Sequence, residues 1–229
     1  MPTLDFAVER QRMLAHIVTQ AVCLTLRLGK AALDGRVLRA LERVPRHEFL
    51  PPELRALAYA DTALPADCGK TVSQPLIVAL MSDLLGLQPG DRVLEIGTGM
   101  GYQTAVLAEL GCEVCSVERI PALSRGAAER LEALGYEDRV ELRIGDGRLG
   151  WPEQAPFDAI IATAAAEQVP PALVGQLRPG GRLVMPLGPP DAQQLVLGIK
   201  GIGRDAQGVV GALSWRVVLP VRFSLLEGE

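Results

Sequence analysis

The stretch Val93-Leu94-Glu95-Ile96-Gly97-Thr98-Gly99-Met100-Gly101 decides the fold. A short apolar run passes into glycines at alternate positions, which reads as a buried strand feeding a tight turn. Tyr102–Leu110 then has helical composition, so the unit is strand, glycine turn, helix. Glycine lets the backbone bend sharply and approach a ligand closely, and the start of a helix offers unpaired N–H groups.

Outward from this turn the alternation continues. Strands are expected at Arg92–Ile96, Glu113–Val117, Val140–Ile144, Phe157–Thr163 and Arg182–Leu187. Helices are expected at Leu76–Leu85, Pro121–Leu134 and Pro171–Leu177. Apolar strands alternating with helices imply a parallel sheet covered on both faces, and right-handed crossovers make it doubly wound and Rossmann-like. Gln194–Ile199 and Trp215–Val221 flank the glycine-rich stretch Gly201 to Gly211 with no long helix between them, so they are expected to form an antiparallel pair at the sheet edge. Before the sheet, Met13, Leu14, Ile17, Val18, Ala21 and Val22, then Val37, Leu38, Leu41 and Val44, recur at helical spacing until Pro45, Pro51 and Pro52 interrupt. Tyr59 to Thr71 reads as a surface loop. The expected organisation is an α/β fold in one domain, 1–229. It comprises a helical N-terminal extension and loop (1–70), a ligand-binding core (71–190) and C-terminal strands (191–229).

The glycine turn does not match the G-x-G-x-x-G spacing of a dinucleotide site, since the sixth position is Tyr102 counting from Gly97 and Thr104 counting from Gly99. Glu95, two residues before Gly97, would repel a pyrophosphate, whereas it would offset the positive charge of a sulfonium and an amine. Glu118 ends the second strand, placed to accept ribose hydroxyls. Asp146, in Gly145-Asp146-Gly147, ends the third, placed for an adenine amino group. Either acid alone could be a cap or a turn carboxylate. Together on one sheet edge they trace a nucleoside, so the expected cofactor is S-adenosylmethionine.

Composition narrows the rest. A hydrophobic share of 48% marks a globular chain, and the net charge of −4 argues against nucleic acid as the main partner. Arg36 to Arg55 is locally basic and reads as a solvated helix face. No apolar run approaches membrane-spanning length. Met1 to Arg12 carries Asp5, Glu9, Arg10 and Arg12 without an apolar signal core, so a cytoplasmic protein without membrane contact is expected. Cys112-Glu113-Val114-Cys115 has CxxC spacing but lies in a strand-like segment with no second ligand pair, so buried reduced thiols are expected and no metal. With no obvious exposed apolar stripe, the expectation is a monomer.

Three segments resemble one family. They are Arg36-Val37-Leu38-Arg39-Ala40-Leu41-Glu42-Arg43-Val44-Pro45-Arg46 through Phe49 and Pro51; Gly69-Lys70-Thr71-Val72-Ser73-Gln74-Pro75; and the glycine turn through Gly101-Tyr102-Gln103-Thr104 with Ser116-Val117-Glu118-Arg119. With Gly145-Asp146-Gly147 and Ala155–Ile161 added, the chain resembles the protein-L-isoaspartate O-methyltransferases over about residues 36 to 223. Thr71 to Pro75 is the specific part. The resemblance implies methylation of the α-carboxylate of isoaspartyl residues in damaged proteins, which starts repair through a succinimide. It also implies Ser73 as the active-site hydroxyl. The cofactor residues carried over are Glu95, Gly97, Thr98, Gly99, Gly101, Gln103, Glu118, Arg119, Asp146 and Gly147. Those for the acceptor are Thr71, Val72, Ala165 and Arg222.

A carboxylate acceptor needs no general base, in keeping with only two histidines in the chain. Ser73 also suits the N-cap of the following helix, Pro75 standing at an early helical position, and both roles can hold. Lys70 stands where bacterial relatives carry glutamine, Val72 replaces isoleucine, and Leu225 stands where proline is common. Ile17 to Gly35 matches the family poorly. The other readings are esterification of a normal aspartate or a small molecule, and a non-catalytic nucleoside sensor.

Overall fold

A computed structural model describes residues 5–203 and 211–227. Most of the expected glycine-rich connection, residues 204–210, lies outside the described residues. The N-terminal helices are α1 (Phe6–Cys23), α2 (Thr25–Leu28) and α3 (Gly35–Arg43). A small ladder of β1 (Leu64–Pro65) and β2 (Thr71–Val72) precedes α4 (Pro75–Leu85). Then come β3 (Arg92–Ile96), α5 (Tyr102–Glu109), β4 (Glu113–Glu118), α6 (Pro121–Ala133) and β5 (Val140–Ile144). The chain continues through β6 (Phe157–Ala162), α7 (Pro171–Gln176), β7 (Leu177–Leu187), β8 (Gln194–Lys200) and β9 (Leu213–Pro220).

The seven-stranded sheet has the order β5-β4-β3-β6-β7-β8-β9. The first five are parallel, and β8 and β9 add antiparallel at one edge. The expected doubly wound sheet with its C-terminal antiparallel pair is therefore present. Strand alternation splits the apolar side chains between two faces. Val93, Val114, Ala159, Ile161 and Val184 join a large cluster with residues of α1, α3, α4, α5 and α6. Leu94, Ile96, Cys115, Val117, Ile160 and Met185 form a smaller cluster closed by Leu173 of α7 and by Trp151. The same alternation disposes of the CxxC reading. Cys112 lies in the first cluster and Cys115 in the second, and burial pushes their thiols up to about 12 and 11.

Helix α4 is buried at every position from Pro75 to Leu85, because α1 and α3 lie over it while the sheet lies beneath. A helix apolar all round needs such double cover. The N-terminal helices supply it through Met13, Ile17, Ala21, Val37 and Leu41. Asp83, on α4 and fully buried, accepts from Lys30 Nζ at 2.6 Å and from the Asp34 N–H at 2.7 Å, tying the connection before α3 to this helix.

Several expectations need correction. Tyr59 to Thr71 is not simply a surface loop, since Tyr59 and Leu64 are buried and β1 pairs with β2. Strand β7 starts at Leu177, not Arg182. Its Pro-Gly-Gly stretch forms an irregularity against Phe157–Ala159, and composition there reads as a turn. Within the basic stretch, Arg46 is wholly buried, with its guanidinium 4.8 Å from the centre of the Tyr102 ring and Nε donating to the Ala58 carbonyl. The monomer expectation rests on the absence of an exposed apolar stripe, yet Val8, Val18, Val22 and Leu26 are exposed at roughly helical intervals along α1 and α2.

Ile17, on α1, has no exposed surface and belongs to the core cluster shared with α4. Ile17→Ala is expected to lower the unfolding free energy by about 2–5 kcal/mol in chemical denaturation. A loss below ~1 kcal/mol would mean that α1 is not part of the cooperative core.

Candidate active site

Strand order reverses between β3 and β6, and a crevice opens beyond the carboxyl ends of strands at such a switch point. Thr163, just past β6, donates its hydroxyl to the Gly97 carbonyl at 2.6 Å, and its N–H bonds to the Ile96 carbonyl at 2.9 Å. Gly97 has φ +92°, and a Cβ there would lie 2.5 Å from Thr163 Oγ1, so no other residue fits. A cavity of about 570 Å³ fills the crevice, a size that suits a nucleoside-bearing ligand. Gly97, Thr98, Gly99, Met100 and Gln103 line it from the β3–α5 turn, and Val117, Glu118, Arg119, Ile120 and Leu123 from the β4–α6 turn.

Glu118 is nearly buried in this wall. One carboxylate oxygen accepts the Gly99 N–H at 2.9 Å and the other the Ile120 N–H at 2.9 Å, so it joins the two turns. Gln103 donates from Nε2 to Ser82 Oγ on α4 at 2.9 Å. Glu95 does not reach the cavity. It is completely buried below the turn, with Oε2 accepting from Ser116 Oγ at 2.6 Å and Thr104 Oγ1 at 2.5 Å. The Ser116 hydrogen is thereby committed, so Thr98 donates to Ser116 Oγ across 2.6 Å. Thr98, Ser116 and Glu95 form a relay that tethers the glycine turn from beneath. Burial pushes the Glu95 carboxyl up to about 7.

The opposite wall is built from Lys70, Thr71, Val72, Ser73 and Gln74, and the mouth is bordered by the C-terminal segment Leu219–Glu227. This segment is strapped down. Ala165 N–H bonds to the Ser224 carbonyl at 2.8 Å and Leu226 N–H to the Ala165 carbonyl at 2.7 Å. The side-chain amide of buried Gln193 donates to the Phe223 carbonyl at 3.0 Å and accepts its N–H at 2.6 Å. Lys70 Nζ lies 2.7 Å from the Glu227 carboxylate. Ser73 does not cap α4. The N-cap residue is Gln74, without a side-chain cap bond, and the Ser73 hydroxyl has no hydrogen-bond partner among the described residues.

Most residues named from sequence therefore share one cavity: Thr71, Val72, Ser73, Gly97, Thr98, Gly99, Gln103, Glu118, Arg119, Gly147 and Arg222 all line it. Glu95, Gly101, Asp146 and Ala165 do not. Gly101 instead starts α5 with φ +94°. Asp146 caps the turn at Gly147–Leu149, its carboxylate held by the Arg148 N–H at 2.9 Å and guanidinium at 2.7 Å, which keeps its pKa low. Ala165 is covered by the strap and borders a second cavity with Arg148 and Pro170. Sequence reading missed Ser116 and Thr104, although polar residues inside an otherwise buried strand and helix are the signal that marks such a relay. It also missed Gln193, whose amide anchors the strap through both backbone groups of Phe223.

A glycine turn at the switch point, with a buried acid ending the adjoining strand, belongs to an S-adenosylmethionine-dependent methyltransferase. The family model of Protein-L-isoaspartate(D-aspartate) O-methyltransferase matches residues 18–215, and the chain belongs to that family. It is 53% identical over 223 residues to Protein-L-isoaspartate O-methyltransferase 1 of Polaromonas sp., covering 97% of this chain and 91% of the relative. It is 49% identical to Protein-L-isoaspartate O-methyltransferase 2 of Syntrophobacter fumaroxidans, covering 97% and 87%. A solved protein-L-isoaspartate O-methyltransferase superposes with TM-score 0.78 at 29% identity, over 96% of this chain and 66% of that one. The chain is thus a carboxyl O-methyltransferase that uses S-adenosylmethionine and acts on L-isoaspartyl residues.

The Glu95 carboxyl sets a dependence of stability on pH. Its folded pKa of about 7 exceeds the ordinary 4.5, so its stabilising contribution is full below pH 4.5 and lost as pH rises to about 7. Relative to Glu95→Gln, the wild type is expected to lose about 3 kcal/mol of unfolding free energy across that window. A difference that stays flat with pH would show that Glu95 is ionised in its buried site.

Proposed function

We propose that the two walls of this cavity divide the reaction between them. The β3–α5 and β4–α6 turns hold S-adenosylmethionine, and the Lys70–Gln74 wall holds the isoaspartyl carboxylate. The residues fit that cofactor. Glu118 offers an anion at the cavity wall, Ile120 and Leu123 offer apolar contact, and a Cβ at Gly99 would face open space. Bound there, the cofactor supplies an electrophilic methyl group. Gly147, not the Asp146 carboxylate, borders the cavity near the third strand.

The observation that carries this reading is Ser73, released from capping and lining the same cavity as Glu118 and the glycine turn. Its hydroxyl donates a hydrogen bond to the acceptor carboxylate and aligns it. The carboxylate, with a pKa near ~4, is already a nucleophile, so no residue removes a proton. Arg119 and Arg222 at the cavity wall attract the anion, and Lys70 does so from beside Glu227. The strap over the mouth keeps water from the reacting pair, whose charges cancel as the bond forms. Glu95 acts from below through Ser116 and Thr98 to hold the turn in place.

The net charge of −4 supports a protein acceptor over nucleic acid, and a cytoplasmic site of action agrees with a repair role. Among the described residues no helix is long and apolar enough to cross a membrane.

Methyl transfer from S-adenosylmethionine to matched peptides containing isoaspartate or aspartate tests the acceptor. Strong preference for isoaspartate is expected, and equal labelling would contradict the reading. Losing a hydrogen bond to a charged group costs about 1.5–3 kcal/mol. Ser73→Ala should therefore lower kcat/KM for the peptide by about ten- to hundredfold with S-adenosylhomocysteine binding unchanged. Loss of binding in parallel would make Ser73 a structural residue.

A further inference from the structure

A helix opening at Pro75 leaves the N–H groups of its first turn without partners inside the helix. Pro75 has none to offer, so Leu76 carries the first that needs an acceptor. The ordinary remedy is a hydroxyl or carboxylate at the N-cap, and Ser73 stands close enough to compete for that role. The acceptor comes instead from outside the segment. Asp61 Oδ1 accepts the Leu76 N–H at 2.9 Å, and its Oδ2 accepts from Gln74 Nε2 at 2.9 Å. The Asp61 carbonyl takes a further bond from the same Gln74 amide at 3.2 Å. The carboxylate is 11% exposed, and His16 Nε2 of α1 lies 3.5 Å from Oδ2 on its other side. Asp61 itself does not line the cavity, while Ser73, Gln74 and Leu76 do.

We propose that Asp61 is a positioning residue for methyl transfer: by capping α4 from a distant loop and gripping Gln74, it relieves Ser73 of capping and fixes its hydroxyl at the acceptor carboxylate. The grip falls on both sides of Pro75, on Gln74 before it and Leu76 after it, so the backbone leaving Ser73 is held at two points. Without Asp61, the orphaned Leu76 N–H is the natural partner of the Ser73 hydroxyl, whose oxygen would turn toward the helix and away from the acceptor. The cofactor wall, built on the β3 and β4 turns, is untouched by this exchange. The role rests on the acceptor reading proposed above, and it separates Asp61 from Asp83, whose buried carboxylate ties α4 to the connection before α3.

Two variants of the full chain decide the matter. Asp61→Ala removes both side-chain acceptors, whereas Asp61→Asn keeps an amide oxygen for the Leu76 N–H. Turnover of an isoaspartyl peptide at saturating S-adenosylmethionine and calorimetric binding of S-adenosylhomocysteine are measured for both. Asp61→Ala should lower kcat/KM for the peptide by about tenfold or more with S-adenosylhomocysteine affinity unchanged, and Asp61→Asn should recover most of the loss. Wild-type kcat/KM in Asp61→Ala, parallel loss of S-adenosylhomocysteine binding, or failure of Asn to rescue would overturn the role. A wild type that leaves the isoaspartyl peptide unlabelled contradicts the acceptor reading alone. Asp61 is then judged by hydrogen exchange at the Leu76 amide in a Ser73→Ala background, where no hydroxyl can take over the cap: fast with Asp61→Ala and slow with Asp61→Asn supports the cap, and slow exchange in both overturns it.

Discussion

Everything in this active site depends on how closely two strand ends meet. The Thr163 hydroxyl sits on the Gly97 carbonyl at 2.6 Å, where β3 and β6 diverge at the switch point of the sheet. That contact excludes a side chain at position 97 and sends the turn out over the carboxyl edge. Glu118 then stitches the turn to the next strand end through Gly99. The crevice exists because the two central strands are joined at this point and free just beyond it.

Polar groups buried around the crevice act at one remove. Glu95 holds Thr98 through Ser116, Asp61 holds the segment of Ser73 through Gln74 and Leu76, and Gln193 holds the strap through both backbone groups of Phe223. Each is an acceptor or amide placed where an unpaired backbone or hydroxyl group would otherwise cost about 1–3 kcal/mol. The same bonds that satisfy the fold thereby set the geometry of the glycine turn, the Lys70–Gln74 wall and the C-terminal strap. The Lys70–Gln74 wall runs directly into helix α4, and the burial of α4 under α1 and α3 ties the N-terminal helices to the cavity.

Periodicity and turn chemistry made the sheet legible. Strands β3 and β5 have the bounds expected from sequence: β3 is a buried apolar run between turn formers, whereas β5 lies half-buried at the sheet edge, with Val140, Leu142 and Ile144 at alternate positions. Strand β7 was legible only from Arg182, since Pro179-Gly180-Gly181 carries turn chemistry inside a ladder that tertiary pairing imposes. The glycine turn and Ser73, which line one cavity, stood out in the sequence through local motifs. Asp61, Ser116 and Gln193 were not, because each acts through partners that only folding brings near. Asp146 shows the converse: at the end of a strand its acid reads as a ligand group, but the guanidinium two residues on claims it. The exposed row along α1 and α2 was hidden for a related reason, since which face of a helix is covered depends on what packs against it.

The central claim is that one crevice, walled by the glycine turn and the β4–α6 turn and covered by the C-terminal strap, receives the cofactor. Amide hydrogen exchange with and without S-adenosylhomocysteine tests it directly. Exchange should slow at residues 97–101 and 118–120 and along the strap at 221–226. Slowing confined to the second cavity, bordered by Arg148 and Pro170, or no slowing at the glycine turn, would contradict the account.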